Sequence, residues 1–73
     1  MPLSMVNAGQ NVILKSINWG TKLKKKLQDM GLTEGVMITV ISDNLNGSSI
    51  INVRGSRLVL DSSVTNQIIV EAA

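Results

Sequence analysis

Neither cysteine nor histidine occurs in this 73-residue chain. A domain of this size buries only roughly 60% of the surface its unfolded chain exposes. Small folds commonly compensate with disulfides or a structural metal. Without Cys or His there is no disulfide framework, no zinc knuckle and no thiolate or imidazole ligand set. The fold must therefore be held by buried aliphatic side chains. The sequence supplies them, with eight each of Val, Ile and Leu and Trp19 as the single aromatic residue. That content excludes a disordered chain. Val and Ile, the β-branched majority, favour strands over helices.

The lack of cysteine fits a reducing compartment. No apolar run approaches the ~20 residues that a membrane-spanning helix requires. The opening "MPLSMVNAGQ" has neither the basic start nor the apolar stretch of a secretory signal. These features predict a single soluble domain over residues 1–73, cytoplasmic and without membrane insertion.

Periodicity gives the element order. "NVILKSI" (11–17) reads as a strand, with Val12 and Leu14 on one face and Ile13, Lys15 and Ile17 on the other. "NWG" (18–20) breaks it, and Trp19 is expected to cover the barrel end beside the helix that follows. "TKLKKKLQDM" (21–30) reads as a short helix, with Leu23, Leu27 and Met30 forming one apolar stripe. Lys25 and Asp29 are spaced to pair across one turn. About ten residues are too few for an independent helix, so the stripe must dock.

"LQDMGLTEGV" (27–36) then places two glycines four residues apart. With Met30 as C-cap, Gly31 is expected to turn left-handed, which costs Gly no Cβ clash. Leu32 then falls back onto Leu27. Gly35 suits a type I or type II turn into the next strand.

"VMITVIS" (36–42) is predicted as that strand, with Val36, Ile38 and Val40 opposite Met37, Thr39 and Ile41. Asn46-Gly47 is a strong hairpin signal. "SIINVR" (49–54) returns antiparallel. Gly55-Ser56 suits a type II′ turn into "RLVL" (57–60). "DSSV" (61–64) suits a helical turn with Asp61 or Ser62 as N-cap. "QIIVE" (67–71) closes the set. Five short strands with one inserted helix predict a mainly β fold, a small SH3-like or OB-like five-stranded barrel. Closure would remove exposed sheet edges.

Chemistry-bearing patterns are sparse. The five carboxylates are scattered over separate turns, and no histidine stands ready as a general base. "GVMITV" lacks the Walker pattern, and Gly35 leads into a strand, not a helix. The sequence thus points away from an enzyme and from any bound cofactor. Met5, Met30 and Met37 are thioethers, soft ligands poorly matched to Fe(II), and core filling is the expected role. No metal site is predicted.

Charge is the one concentrated feature. The chain carries a net +2. Lys22, Lys24, Lys25 and Lys26 stand against Asp29 in the helix segment, and the remaining charges sum to one net negative. A cationic helix face attracts nucleic acid, an anionic surface or an acidic protein patch. Nucleic-acid readers of barrel type stack bases on aromatic side chains. With one Trp and no Phe or Tyr, that platform is missing.

Two segments carry a family likeness. The first is "KKLQDMGLTEGVMITV", in which Lys26, Leu27, Met30, Gly31, Leu32 and Gly35 form an ordered pattern. The second is "INVRGSRLVLDSSVTNQIIV", with Val53, Gly55, Leu58, Leu60, Ile68 and Val70. Together they resemble the ferrous iron transport protein A (FeoA) family over residues 3 to 70. The chain departs from that family at Asp61, where an arginine is common. It departs again at Val64 and Thr65, where a Glu-Ala pair is common. Lys26 replaces the usual Arg and lacks its bidentate geometry.

The resemblance implies an SH3-like barrel that is an accessory of ferrous iron uptake. The implied partner is the cytosolic GTP-binding domain of a membrane ferrous-iron permease. The family-level label of transition metal ion binding comes with the resemblance alone. The domain is also similar to the SH3-like tail of iron-dependent repressors, without their DNA-binding part. The competing reading is a barrel that uses its lysine helix on nucleic acid. For partner binding the candidate residues are Lys22, Lys25 and Lys26, with Met37 and Ile41 as the apolar element.

Overall fold

The computed structural model describes residues 1–18, 21–45 and 48–73, with side chains for all of these except 21–23 and 43–45. Strand β1 spans Asn11–Ile17, β2 Met37–Leu45, β3 Ser48–Val53, β4 Ser56–Asp61 and β5 Ile68–Ala72. Helix α1 covers Thr21–Asp29 and the short α2 covers Ser62–Thr65. A 3-10 turn at Leu3–Met5 precedes them. Trp19 and the Asn46-Gly47 turn, both singled out in the sequence, lie outside the described residues.

All five strands form one antiparallel sheet in the order β4-β3-β2-β1-β5. The ends of the sheet, β4 and β5, are not paired with each other. The expected removal of sheet edges is therefore incomplete. The outer edge of β5 is covered by the N-terminal segment. Pro2 bridges Ile69, and the Val70 N–H donates to the Met1 carbonyl at 2.7 Å. The Met1 ammonium returns a bond to the Val70 carbonyl at 2.9 Å.

Among the described residues the core holds fifteen buried aliphatic residues, from every strand, from α1 and from the N-terminal turn. Leu14, Leu32, Ile38, Ile51 and Ile68 lie at its centre. Each buried aliphatic side chain contributes about 1.5–3 kcal/mol relative to exposure, and these contributions replace the missing staples. Leu3 and Val6 belong to this core, which the sequence reading did not include.

Two irregularities re-aim side chains. In β1 the register to β5 shifts between Leu14 and Ser16, so one residue is inserted there. Strict alternation would have placed Ile17 with Ile13 and Lys15. The bulge instead turns Ile17 inward beside Val12 and Leu14. In β2 the register to β3 shifts between Val40 and Ser42, so Ile41 is the inserted residue.

The turn chemistry follows the glycines. Gly31 has φ +99°, and the helix stops there. The Leu32 N–H donates to the Leu27 carbonyl at 3.0 Å, and the Gly31 N–H to the Gln28 carbonyl at 3.0 Å. This pair of bonds is the Schellman stop, which satisfies two orphan carbonyls. At the second glycine, the Val36 N–H reaches the Thr33 carbonyl at 3.0 Å. Gly35, with φ +87°, then occupies the third position of a type II turn. The stripe is not as expected in one respect. Leu27 is buried, but Met30 is exposed, and Leu32 fills the core in its place.

The β3–β4 turn also differs from expectation. It is centred on Arg54-Gly55, both with positive φ (52° and 81°). That is the type I′ geometry, which matches strand twist, and it moves the turn back one residue from Gly55-Ser56. The start of β4 moves back with it. Asp61 is the N-cap of α2 by position, yet its carboxylate makes no cap hydrogen bond.

Candidate functional site

The lysine segment folds as expected into α1. Lys24, Lys25 and Lys26 are exposed. The side chain of Lys22 lies outside the described residues. Lys26 sits in the last turn of α1, where a cation complements the helix dipole. The expected Lys25–Asp29 pair does not form. Among the described residues the ion pair present joins Lys15 Nζ to Glu71 Oε1 at 3.4 Å on the far side of β1. Both partners are largely exposed, so this pair contributes little to stability. Lys24, Lys25 and Lys26 therefore remain turned to solvent.

The apolar candidates lie on a different element. Met37 is 52% exposed and Ile41 39% exposed, both on the outward face of β2. Ile13 faces Met37 across the β1–β2 ladder and is half-buried. Thr39 stands between them and donates its hydroxyl to the Asn11 side-chain oxygen at 2.7 Å. The outward face continues over β3 and β4 through Ile50 and its ladder partner Val59, which is 66% exposed. Sequence periodicity found Met37 and Ile41. It did not single out Val59, because that depends on β4 being the sheet's last strand.

Between α1 and β1 lies a small cleft of about 80 Å³. Leu14, Ile17 and Leu32 form its floor, and Lys24, Gln28 and Glu34 its rim. It has room for a side chain but not for a nucleotide or an extended cofactor. Neither Met37 nor Ile41 lines it. Lys24, Lys25 and Lys26 thus stand on α1 and the apolar candidates on β2, two different elements. Among the described residues, no three acidic side chains come together as a cation site. Among the described residues no helix is long and apolar enough to cross a membrane.

The sequence pattern of the FeoA domain matches residues 1–72. The chain belongs to the FeoA domain family. A Methanocaldococcus jannaschii protein named for Fe(2+) transport is 35% identical over 72 residues, which is 99% of this chain and 87% of the relative. A crystal structure of an iron uptake regulatory protein (FeoA) superposes with a TM-score of 0.91 at 32% identity. It covers 100% of this chain and 97% of that one. A FeoA-like protein from Clostridium acetobutylicum gives a TM-score of 0.86 at 26% identity, covering 99% and 85%. The SH3-like fold and the FeoA assignment read from the two sequence segments are therefore correct. In this FeoA domain, Gly31 and Leu32 of the first segment form the helix stop, and Val53 and Gly55 of the second flank and form the I′ turn.

Proposed function

We propose that this FeoA domain is a non-enzymatic cytoplasmic accessory of ferrous iron uptake that docks on the cytosolic part of a membrane ferrous-iron permease. Membership of a family with a relative named for Fe(2+) transport carries the reading. The surface is suited to docking and not to catalysis. It offers three exposed lysines on α1 and an apolar face on β2, with no cluster of acids among the described residues. A cationic patch accelerates encounter with an acidic partner surface, and an apolar patch slows release. Iron is cargo of the permease in this reading, not a ligand of the domain.

The test is titration of the domain into the permease's purified cytosolic portion, followed by calorimetry or fluorescence anisotropy. Saturable binding is expected, weakened by added salt. Binding to duplex DNA but not to the permease portion would replace this reading with the nucleic-acid one.

A further inference from the structure

The last strand of the sheet, β4, leaves one edge without a partner, and the residues on it are complementary to their own copy. We propose that this edge joins two copies of the chain into an antiparallel dimer centred on Val59.

The backbone sets the register. The β3–β4 turn is a two-residue I′ turn at Arg54-Gly55, so the carbonyl of Val53 accepts from the N–H of Ser56. Antiparallel ladders alternate between hydrogen-bonded and non-hydrogen-bonded pairs. Counting from Ser56, the next residues that point N–H and C=O toward β3 are Leu58 and Leu60. Arg57, Val59 and Asp61 point theirs away from β3, toward the open edge. Among the described residues no turn or loop backbone hydrogen bond reaches Arg57 or Val59 on that edge, whereas the Asp61 carbonyl, at the N-cap of α2, accepts the first bond of that helix.

Only one kind of antiparallel self-pairing brings edge-facing residues opposite each other symmetrically about the middle of this set. Val59 faces Val59 of the second copy, and Arg57 of each copy faces Asp61 of the other. The Val59 pair then exchanges both backbone bonds, and each Asp61 N–H donates to the Arg57 carbonyl opposite it, the Asp61 carbonyl staying with α2. The side chains agree with this register. Leu58 and Leu60 turn inward, and Arg57, Val59 and Asp61 all turn outward. The guanidinium and carboxylate groups therefore meet twice, one pair on each side of the central valines. Opposite charges placed directly across strands are attractive. Asp61 is available for this, since its carboxylate caps nothing and its backbone is extended (φ −69°, ψ 157°). Neither Arg57 nor Asp61 has an ion-pair partner among the described residues. The charges on an edge strand usually repel further strands. Here their signs are antisymmetric about Val59, so they attract a copy. The pairing also joins exposed Val59 and the half-buried Ile50 beside it to their counterparts on the second copy.

The interface uses six residues a side, from Ser56–Asp61. Standard interfaces use roughly 20–30 residues a side, so weak association is expected. This inference concerns the strand edge and stands apart from the permease reading, which rests on other surfaces.

Sedimentation equilibrium of the full chain, carried up to about 1 mM, should show a monomer–dimer equilibrium from the 7.8 kDa monomer. Arg57→Asp places carboxylates opposite each other, and Asp61→Arg does the same with guanidinium groups. Each variant alone should associate at least about tenfold more weakly, the equivalent of roughly 1.4 kcal/mol. An equimolar mixture of the two should recover wild-type association, because each chain then offers only one sign to the other. Val59→Pro removes an edge-facing N–H without touching the β3 ladder, and should abolish association in a chain that circular dichroism shows to be folded. The proposal is overturned if the wild type stays monomeric throughout, if either charge variant associates as tightly as wild type, or if the mixture associates no better than its components.

Discussion

The amide N–H of Leu32 donates to the carbonyl of Leu27 at 3.0 Å, across the end of α1. That one bond fixes where the helix stops and turns Leu32 into the core, where it is fully buried. It can form because Gly31, between them, has φ +99°. A side chain is strained at that angle whatever the space around it.

Gly31→Ala should therefore destabilise the domain by about 1 kcal/mol through backbone strain alone. Steric crowding adds little, because a Cβ there would lie 3.7 Å from Val53 Cγ1, an ordinary contact. Urea denaturation should show a lower midpoint with an unchanged slope. An unchanged midpoint would remove Gly31 from the helix stop.

Leu32 and Met30 make a contrasting pair. Leu32→Ala empties a fully buried site and should cost about 2–5 kcal/mol. A domain of this length has roughly 4–11 kcal/mol in total, so that variant should be close to unfolding at 37 °C. Met30→Ala, at 36% exposure, should shift stability by only about 0.5 kcal/mol. Thermal melts of both variants decide it. Equal losses would mean that Met30 carries the stripe after all.

That contrast shows what was readable in the sequence. Helical spacing alone put Met30 on the Leu27 face, since i and i+3 are neighbours. The helix stops one residue earlier, and the left-handed turn then substitutes Leu32 for Met30 in the core. Ile17 was misplaced for a related reason. Alternation assumes a regular ladder, and an inserted residue in β1 reverses the parity after Leu14. Strand positions, by contrast, were legible because β-branched runs and glycine turns punctuate them. The candidate surface was legible only residue by residue. Exposure of Lys25, Lys26, Met37 and Ile41 followed from periodicity, but where the α1 residues stand relative to those of β2 depends on how α1 docks, which spacing does not encode. Val59 needed the strand order, a property of the whole sheet.

Metal binding by the isolated domain should be weak. Asp29, Glu34, Asp61 and Glu71 stand on separate elements, and no three acidic side chains among the described residues converge. Hard cations need several oxygen ligands together, and Fe(II) or Zn(II) bound tightly would need nitrogen or sulfur donors, which Cys and His would supply. Anaerobic calorimetric titration with Fe(II) or Zn(II) should give no stoichiometric heat in the micromolar range. A saturable one-to-one isotherm there would show a site that the acidic residues do not explain.

The lysine face should affect association and leave the fold intact. Lys25 and Lys26 are exposed on α1 and make no ion pair with Asp29, so removing them breaks no contact among the described residues. Reversing Lys26 loses a favourable helix-dipole term of about 0.3–1 kcal/mol, and little else should change in a melt. Binding should respond far more. The field of these lysines is screened over a Debye length of ~8 Å at physiological salt. The double variant Lys25→Glu, Lys26→Glu should therefore associate more slowly with the permease's cytosolic portion, and the gap between variant and wild type should narrow as salt rises. Dissociation rates should change less if, as proposed, apolar contacts such as Met37 set release. Stopped-flow or surface-based kinetics at two salt concentrations separates the two rates. Identical association rates for wild type and double variant at low salt would take α1 out of the interface. A parallel titration with duplex DNA checks the competing reading. Contacts to phosphates release counterions, so any DNA binding should fall steeply with salt and show no sequence preference. Salt-resistant, sequence-selective DNA binding would instead assign the lysine face to nucleic acid.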